Sequence, residues 1–217
     1  HSLRHGHLEE RTVAEERSAG TAPQTWRRRF RDEVLGADLR LRQELPASVV
    51  LRAFAYPYGE HSEASREELA ALGIAAFTQG SGALGPESDA QRLPRFPVAT
   101  GYDSDERLRA AVASRPLRFL SEVPEATSLG PKEEVPAAWS FELPAGLPRE
   151  RELACYAAGE ALDLARRDGR VTVSLPALRA GRNRVNCTVP AAGDAGAFHW
   201  GSRLWLLRDR YGVWLER

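Results

Sequence analysis

The chain has 217 residues, of which 42% are hydrophobic, so it is long enough for one large domain or two small ones with a buried core. Its 30 basic and 30 acidic residues cancel, so charge gives no indication of nucleic acid or of a membrane surface as a partner. No run of about 20 apolar residues is present, so the sequence predicts no transmembrane segment.

Two features of the composition bear on processing and compartment. The chain contains no methionine, so we interpret it as a mature protein or a fragment whose targeting segment would lie upstream. Cys155 and Cys187 both fall in the C-terminal third. An even pair in a β-rich region is compatible with a disulfide and an oxidising compartment, and two buried free thiols fit the residues alone nearly as well.

The N-terminal half alternates helical and strand patterns. Apolar residues spaced by three and four predict an amphipathic helix over residues 24–45. A buried strand is predicted over residues 49–55, where Tyr56-Pro57-Tyr58-Gly59 stops it. The next segments are a helix capped by Ser65 with Glu68 and stopped at Gly73, short strands at residues 74–78 and 93–98, and a helix that opens at Asp103-Ser104. This order predicts an α/β fold with a parallel sheet.

The C-terminal part has a different pattern. Residues 122–136 combine prolines, a glycine and charges, which is typical of a linker. Short apolar strands separated by turn residues then predict a small all-β, sandwich-like domain. These strands cover residues 139–143, 153–157, 171–175, 184–189 and 198–207. We therefore expect a first domain at residues 1–121, a linker at 122–136 and a β-rich domain at 137–217.

A glycine-rich loop, Gly80-Ser81-Gly82-Ala83-Leu84-Gly85, matches the G-x-G-x-x-G pattern of dinucleotide sites and follows a predicted strand. In such sites the third glycine opens a helix whose N-terminus holds the pyrophosphate. Here Pro86 and a polar stretch lead to Leu93-Pro94-Arg95-Phe96-Pro97, where no long helix can begin. The sequence therefore favours a turn-rich loop bordering a cleft over a nucleotide site.

Three histidines lie within the first seven residues, His1-Ser2-Leu3-Arg4-His5-Gly6-His7. On a helix, His1 and His5 would share one face, where two imidazoles can reach one cation, and His7 would lie off that face. A tag remnant or an exposed polar helix end explains the same residues about as well. A catalytic metal site also needs a third protein ligand and an open position.

The order and spacing of several motifs resemble one enzyme family. Residues 1–8 are similar to the H-[ST]-x-x-H motif of the polysaccharide deacetylases (carbohydrate esterase family 4), and residues 54–59 resemble the family's next motif, a strand ending in Pro-Tyr-Gly. Residues 81–86 and 93–97 resemble a proteobacterial branch near the poly-β-1,6-N-acetylglucosamine deacetylases. Residues 153–156 and 181–188 are similar to the C-terminal extension of that branch, so the resemblance covers nearly the whole chain.

The resemblance implies the C-terminal part of a distorted (β/α) barrel, followed by the β-rich domain. It also implies a metal-dependent hydrolase that removes N-acetyl groups from a polysaccharide, with a divalent metal, commonly Zn²⁺, bound by His1 and His5. The backbone N–H of Tyr58 would face the oxyanion. The residues expected to contact the substrate are Tyr56, Pro57, Phe77 and Arg95. We expect a periplasmic or secreted protein in which Cys155 and Cys187 form a disulfide.

The chain departs from the family pattern in three places. The family's Asp-Asp motif, which supplies the base and the third metal ligand, lies upstream of the His motif, so this chain alone is expected to be inactive. Ala55 stands where many members have Arg. No Leu-x-His motif follows Arg95 to supply a general acid, and His61 is better explained as a loop residue.

The alternative is a non-catalytic carbohydrate-binding or cell-envelope interaction module on a degenerate deacetylase fold. Its aromatic groove would be formed by Tyr56, Tyr58 and Phe77. Trp200, Trp205 and Trp214 could add a sugar platform, but Trp200 and Trp205 differ by an odd number and so face opposite sides of one regular strand.

Overall fold

The computed structural model describes residues 1–9, 24–46, 52–101, 103–125, 127–130, 134–193 and 196–210. Within these residues the chain forms three α-helices and twelve β-strands. The helices are α1 (Gln24–Glu44), α2 (Glu63–Ala71) and α3 (Asp105–Ala113). The strands are β1 (Ala53–Ala55), β2 (Ala75–Phe77), β3 (Arg115–Pro116), β4 (Leu120–Val123), β5 (Ser128–Leu129), β6 (Ala138–Glu142), β7 (Ala154–Ala157), β8 (Glu160–Ala161), β9 (Leu164–Arg167), β10 (Arg170–Ser174), β11 (Gly181–Pro190) and β12 (Phe198–Leu207). None of the described helices is long and apolar enough to cross a membrane.

The chain divides into two compact units. The first comprises His1–Gln79 and Ser88–Leu93, and the second comprises Gly80–Glu87 and Pro94–Arg217. The predicted linker at residues 122–136 falls within the second unit, where its residues 122–123 belong to β4 and residues 128–129 form β5. β4 pairs with β6 and β5 pairs with β12, so strand residues lie inside a segment whose prolines and charges are typical of a linker.

The first unit packs two helices against a short parallel pair of strands. β1 and β2 pair in register from Ala53 opposite Ala75 to Ala55 opposite Phe77. The apolar face predicted for α1 is buried from Trp26 to Ala37, whereas Leu41 and Leu45 are exposed, and the helix ends within one residue of its predicted end. The buried core residues of this unit are Trp26, Phe30, Val34, Phe54, Tyr56, Leu69, Ile74 and Ala76. Residues 49–51 of the predicted strand lie outside the described residues.

Helix α2 begins earlier in the chain than predicted. Its N-cap is Ser62, whose hydroxyl accepts a hydrogen bond from the Ser65 backbone N–H at 3.3 Å, while the Ser65 hydroxyl accepts from the Ser62 N–H at 2.9 Å. The prediction of Ser65 as the cap was wrong because Ser65 fills the N3 position of this capping box. The predicted stop at Gly73 is confirmed, since its φ of +68° is a left-handed conformation that glycine adopts without strain.

The second unit is built from two sheets that share one core. An antiparallel sheet has the strand order β4-β6-β10-β9, and a larger sheet has the order β3-β12-β11-β7-β8 with β5 also beside β12. Trp139 on β6 and Trp205 on β12 are both fully buried, and their rings meet edge to face with centroids 5.7 Å apart. All five strands predicted for this region are present. β9 and β10 are joined at the turn Asp168-Gly169, where both residues have positive φ.

The predicted (β/α) barrel is wrong. The described residues contain no complete barrel, because β1 and β2 are the one parallel pair connected by a helix, and most strands belong to the two sheets of the second unit. The strand predicted at residues 93–98 is reduced to a single bridge between Phe77 and Leu93. Pro94 and Pro97 have no N–H to continue a ladder, which explains why the sheet stops there. After α3 the chain enters β-rich structure instead of another strand–helix repeat.

The glycine-rich loop packs closely within the second unit. A Cβ atom on Gly82 would lie 3.1 Å from the carbonyl oxygen of Trp200, and one on Gly85 would lie 2.7 Å from the Pro116 ring. Residues larger than glycine would therefore push the loop away from β12 and β3. Close packing accounts for these two glycines of the G-x-G-x-x-G pattern.

A buried arginine links the two sheets of the second unit. Arg203 on β12 is 1% exposed, and its guanidinium donates to the Glu122 carboxylate at 2.7 Å and to the carbonyl oxygens of Pro124 and Glu125 at 2.8 and 2.6 Å. Trp139 Nε1 donates to the same Glu122 oxygen at 3.1 Å. Because a buried charge requires acceptors, these contacts fix the segment that follows β4.

The predicted disulfide between Cys155 and Cys187 is present. The two residues are directly opposite each other on β7 and β11, with a Cα–Cα distance of 4.1 Å. Both lie in the core shared by the two sheets. The bond therefore closes a loop with a sequence separation of 32 residues around buried strands.

Removing the disulfide should lower the stability of the second unit. A loop of this length predicts that the double variant Cys155→Ala/Cys187→Ala loses about 3–4 kcal/mol in its free energy of unfolding, because the unfolded chain regains loop entropy. Urea unfolding followed by tryptophan fluorescence measures this difference. Reduced wild-type protein serves as the matched control and should approach the variant; a wild-type stability that is unchanged by reduction would contradict the prediction.

Candidate histidine site

A buried carboxylate on α1 holds the histidine-bearing segment in place. Glu33 is 4% exposed, and its carboxylate accepts hydrogen bonds from the backbone N–H and the Nε–H of Arg4, at 3.0 and 2.5 Å. The backbone carbonyl of Glu33 also accepts from the N–H of Leu3 at 3.1 Å. Leu3 and Arg4, which lie between His1 and His5, therefore anchor the segment to α1 through three hydrogen bonds.

His1 and His5 are brought together, but not by a helix. His5 has φ of +55°, and its backbone N–H donates to the Ser2 hydroxyl at 3.0 Å, so the segment is a turn. The imidazole centroids of His1 and His5 are 4.6 Å apart, and both residues are exposed. The spacing of four residues predicted this proximity from helical geometry; the helix was wrong, and a left-handed residue produces the approach instead.

The turn after β1 presents Tyr58 to these histidines. Pro57 begins a single 3-10 turn in which the N–H of Gly59 donates to the Tyr56 carbonyl at 3.0 Å and the N–H of Glu60 donates to the Pro57 carbonyl at 3.1 Å. Tyr58 has φ of +55° and ψ of 1°, which is unusual for a residue with a Cβ. Gly59 also has positive φ, and a Cβ there would lie 3.0 Å from Gln79, so this position requires glycine.

Tyr58 lies between two of the histidines in a chain of ring contacts. The His5 ring meets it edge to face, with centroids 5.1 Å apart and an interplanar angle of 69°. The His7 ring stacks on it, with centroids 4.2 Å apart and an angle of 18°. His7 Nδ1 lies 2.9 and 3.0 Å from the two carboxylate oxygens of Glu60, which is 4% exposed. We refer to His1, His5, His7, Tyr58 and Glu60 as the histidine cluster.

Two of the predicted substrate contacts, Tyr56 and Pro57, are buried. Tyr56 is 1% exposed, and its hydroxyl donates to the carbonyl oxygen of Gln91 at 3.0 Å. Burial raises the pKa of this phenol well above its ordinary value, and the charge of Glu9 adds to the shift. The ring also stacks on His61, which is 3% exposed and lies in the loop before α2. Tyr56 therefore contributes to the core, and its predicted role in substrate binding gains no support from this position.

The other predicted contacts are more accessible. Phe77 ends β2 and is half-buried, and its carbonyl accepts from the Tyr56 N–H at 3.1 Å. Arg95 belongs to the second unit, is exposed, and donates its backbone N–H to the Gly80 carbonyl at 2.9 Å. Trp200 contacts Phe96, whereas Trp205 lies in the core, so these tryptophans do not form one platform. Trp214 lies outside the described residues.

The separation of the His1 and His5 rings is compatible with two ligands of one divalent cation. Two imidazole nitrogens on one tetrahedral Zn²⁺, each at about 2.0–2.1 Å, place the ring centroids roughly 5 Å apart, close to the separation of His1 and His5. Among the described residues, no group of three or more histidine, cysteine, aspartate or glutamate side chains is arranged to hold a metal. The pair alone could thus contribute two ligands, and any others would have to come from elsewhere.

Sequence reasoning missed the two carboxylates that organise the cluster. Glu33 lies on the buried face of α1 among apolar residues, and Glu60 directly follows the Pro-Tyr-Gly turn. A glutamate at a position whose helical neighbours are buried is a usable signal, because such a side chain must find a donor. Nothing in the spacing of Glu60 and His7, which are 53 residues apart, indicates their contact.

Comparisons with known proteins give no family assignment. No protein-family model matches the chain, and no curated protein matches it. The chain is similar to the solved structure of CopC from Methylosinus trichosporium OB3b, at 12% identity and a TM-score of 0.31, over 42% of this chain and 93% of that one. It is also similar to the endo-β-1,4-mannanase from Thermotoga petrophila, at 13% identity and a TM-score of 0.32, over 87% of this chain and 44% of that one. Likenesses this weak carry no argument about function.

Another buried carboxylate of the first unit, Glu68 on α2, joins this helix to α1. Its side chain is 4% exposed and accepts from Arg27 at 2.6 Å and from Arg31. Burial opposes ionisation of Glu68, but the hydrogen bonds from both guanidinium groups outweigh it and lower the pKa of this carboxyl.

The lowered pKa predicts an acid-dependent loss of stability. A carboxyl with a depressed pKa in the folded state stabilises the protein above its unfolded pKa of about 4.3, and this contribution disappears as the pH falls through the folded value. Glu68→Gln should therefore lower the free energy of unfolding by roughly 1–3 kcal/mol at pH 7 and flatten its decline in acid. Glu67→Gln is the control, because Glu67 is 53% exposed and its pairing with Arg27 is a surface contact. Equal losses for both variants at pH 7, measured by thermal unfolding, would refute the assignment.

Proposed function

We propose that this chain contributes to metal-dependent hydrolysis of N-acetyl groups on a polysaccharide, with His1 and His5 as ligands of a divalent cation such as Zn²⁺. The observation that carries the proposal is the approach of the two exposed imidazoles beside Tyr58. Imidazole is a common ligand for zinc, and a site open to solvent can admit a polymer. The motif resemblance supplies the reaction class, and it rests on residues 1–8 and 54–59.

The chain's own residues have distinct roles in this proposal. His1 and His5 bind the cation, which when present would polarise an acyl carbonyl as a Lewis acid. The backbone N–H of Tyr58, in the turn closed by the hydrogen bonds of Gly59 and Glu60, would face the developing oxyanion, as the motif resemblance implies. The base and further metal ligand would be carboxylates, which the resemblance assigns to the family's Asp-Asp motif. Acetate and a free amine on the sugar are the products.

The disulfide supports a location for this activity. Cys155 and Cys187 are paired in a core where reduction would leave two buried thiols. Disulfides persist in the periplasm and outside the cell and are rare in the reducing cytosol. The disulfide is compatible with a proposed hydrolase of the periplasm or the extracellular space.

Metal binding by the histidine pair is the first test. Isothermal titration of Zn²⁺ into the metal-free chain should give one binding event per molecule, because His1 and His5 provide a single site. The double variant His1→Ala/His5→Ala should bind at least tenfold more weakly, since both nitrogen ligands are lost. His199→Ala is the matched control, because His199 lies on β12 in the second unit and contacts the Pro116 carbonyl. The proposal is contradicted if the double variant and the wild type bind alike.

The reaction itself requires the protein together with whatever carboxylates complete the site. Acetate release from a poly-N-acetylglucosamine substrate should depend on added metal and should be abolished by His5→Ala. Glycan binding that needs neither metal nor His5, with no acetate released, would instead favour the non-catalytic carbohydrate-binding module. Tyr58 and Phe77 would then be the accessible aromatic residues of that surface.

A further inference from the structure

The contact between His7 and Glu60 sets the orientation of His7. Both oxygens of the Glu60 carboxylate lie within hydrogen-bonding distance of His7 Nδ1, at 2.9 and 3.0 Å. When Glu60 is ionised it can only accept, and His7 Nδ1 is then the donor of this hydrogen bond. Because Glu60 is 4% exposed and its backbone is held in the 3-10 turn, the acceptor cannot move far. The imidazole plane of His7 is thereby fixed.

The fixed His7 ring in turn restrains Tyr58. The two rings are nearly parallel at 18°, with centroids 4.2 Å apart, so the tyrosine ring cannot rotate toward the His7 side without losing this contact. The same tyrosine ring also contacts the His5 ring edge to face, with centroids 5.1 Å apart. His5 in turn contacts His1 at 4.6 Å. Four aromatic rings therefore form a continuous series that begins at one buried carboxylate.

We infer that Glu60 and His7 are positioning residues for the His1–His5 pair: Glu60 orients His7, His7 fixes the Tyr58 ring, and Tyr58 sets the position of the His5 imidazole. The part of this inference that concerns metal affinity rests on the proposed function. The contacts among the four rings do not rest on that proposal. Neither Glu60 nor His7 is a ligand in this account, and no step depends on a change in their protonation.

A set of substitutions distinguishes a positioning role from a general contribution to the stability of the fold. Glu60→Ala removes the acceptor, and His7→Gln retains an N–H donor for Glu60 but removes the stacked ring. Both should shift the side-chain NMR resonances of Tyr58 and His5 in the metal-free chain and weaken Zn²⁺ binding about tenfold, the low end of the 10–100-fold typical of outer-shell partners. Glu60→Gln keeps an oxygen acceptor and should retain more affinity than Glu60→Ala.

Two controls bracket the effect. Glu63→Gln changes a 70% exposed glutamate at the start of α2 and should leave both the resonances and the affinity unchanged. Glu68→Gln destabilises the same unit through the two arginines of α1, so it reports what a loss of stability alone does to the histidine resonances. We expect it to lower the unfolding temperature without shifting the His5 ring signals in the folded protein.

The outcomes separate this inference from the proposed metal site. Shifted His5 and Tyr58 resonances in Glu60→Ala and His7→Gln support the positioning role even if the wild type binds no Zn²⁺, a result that would refute the metal site alone. Wild-type Zn²⁺ binding with unaltered resonances and affinity in both variants would overturn the positioning role and leave the metal site standing. If Glu60→Ala does not fold, His7→Gln decides the question by the same two measurements.

Discussion

Two of the buried glutamates of the first unit, Glu33 and Glu60, hold the histidine segment, because a buried carboxylate must be met by donors. Because the energetic cost of leaving such a group without hydrogen bonds is several kcal/mol, its donors are drawn to it wherever they lie in the chain. Arg4 supplies the donors to Glu33 and His7 supplies the donor to Glu60. These contacts fall on either side of His5, so the position of the histidine segment on its scaffold follows from where α1 and the β1 turn place two acidic side chains.

The second unit also contains a buried charged group, but this group is positive and requires acceptors instead of donors. There the buried charge is the Arg203 guanidinium, and its acceptors are the Glu122 carboxylate and two backbone carbonyls. The carboxylate also accepts from the indole of Trp139, so one polar group joins the ion pair to the aromatic core. Buried ion pairs often contribute little net stability compared with apolar side chains. Their effect here is on geometry, since they determine which backbone segment lies against which sheet.

The sequence predicted local structure more reliably than assembly. Helix α1, the stop at Gly73 and the alternating strands β6 and β10 follow from periodicity and turn residues, which are local properties. The barrel prediction depended on how many strands would join one parallel sheet. At residues 94 and 97 two prolines have no backbone N–H to donate, so the strand predicted there does not extend that sheet. The cap of α2 was misplaced by three residues because Ser65 with Glu68 matches the usual capping-box pattern, whereas the actual cap, Ser62, has Ser65 at N3 in place of glutamate or glutamine.

The candidate site was predictable in its histidines and not in its geometry. The four-residue spacing predicted that His1 and His5 lie close together. Their approach depends on the left-handed backbone conformation of His5, which the spacing cannot indicate. Outside glycine, positive φ also occurs at Ser121, Arg149, Ala158 and Asp168, so this conformation by itself does not mark a functional site. What distinguishes His5 and Tyr58 is that two such residues, 53 positions apart, have rings in direct contact. Each costs of order 1–3 kcal/mol and persists only where its surroundings enforce it, and the bonds to Glu33 and Glu60 on either side provide that enforcement.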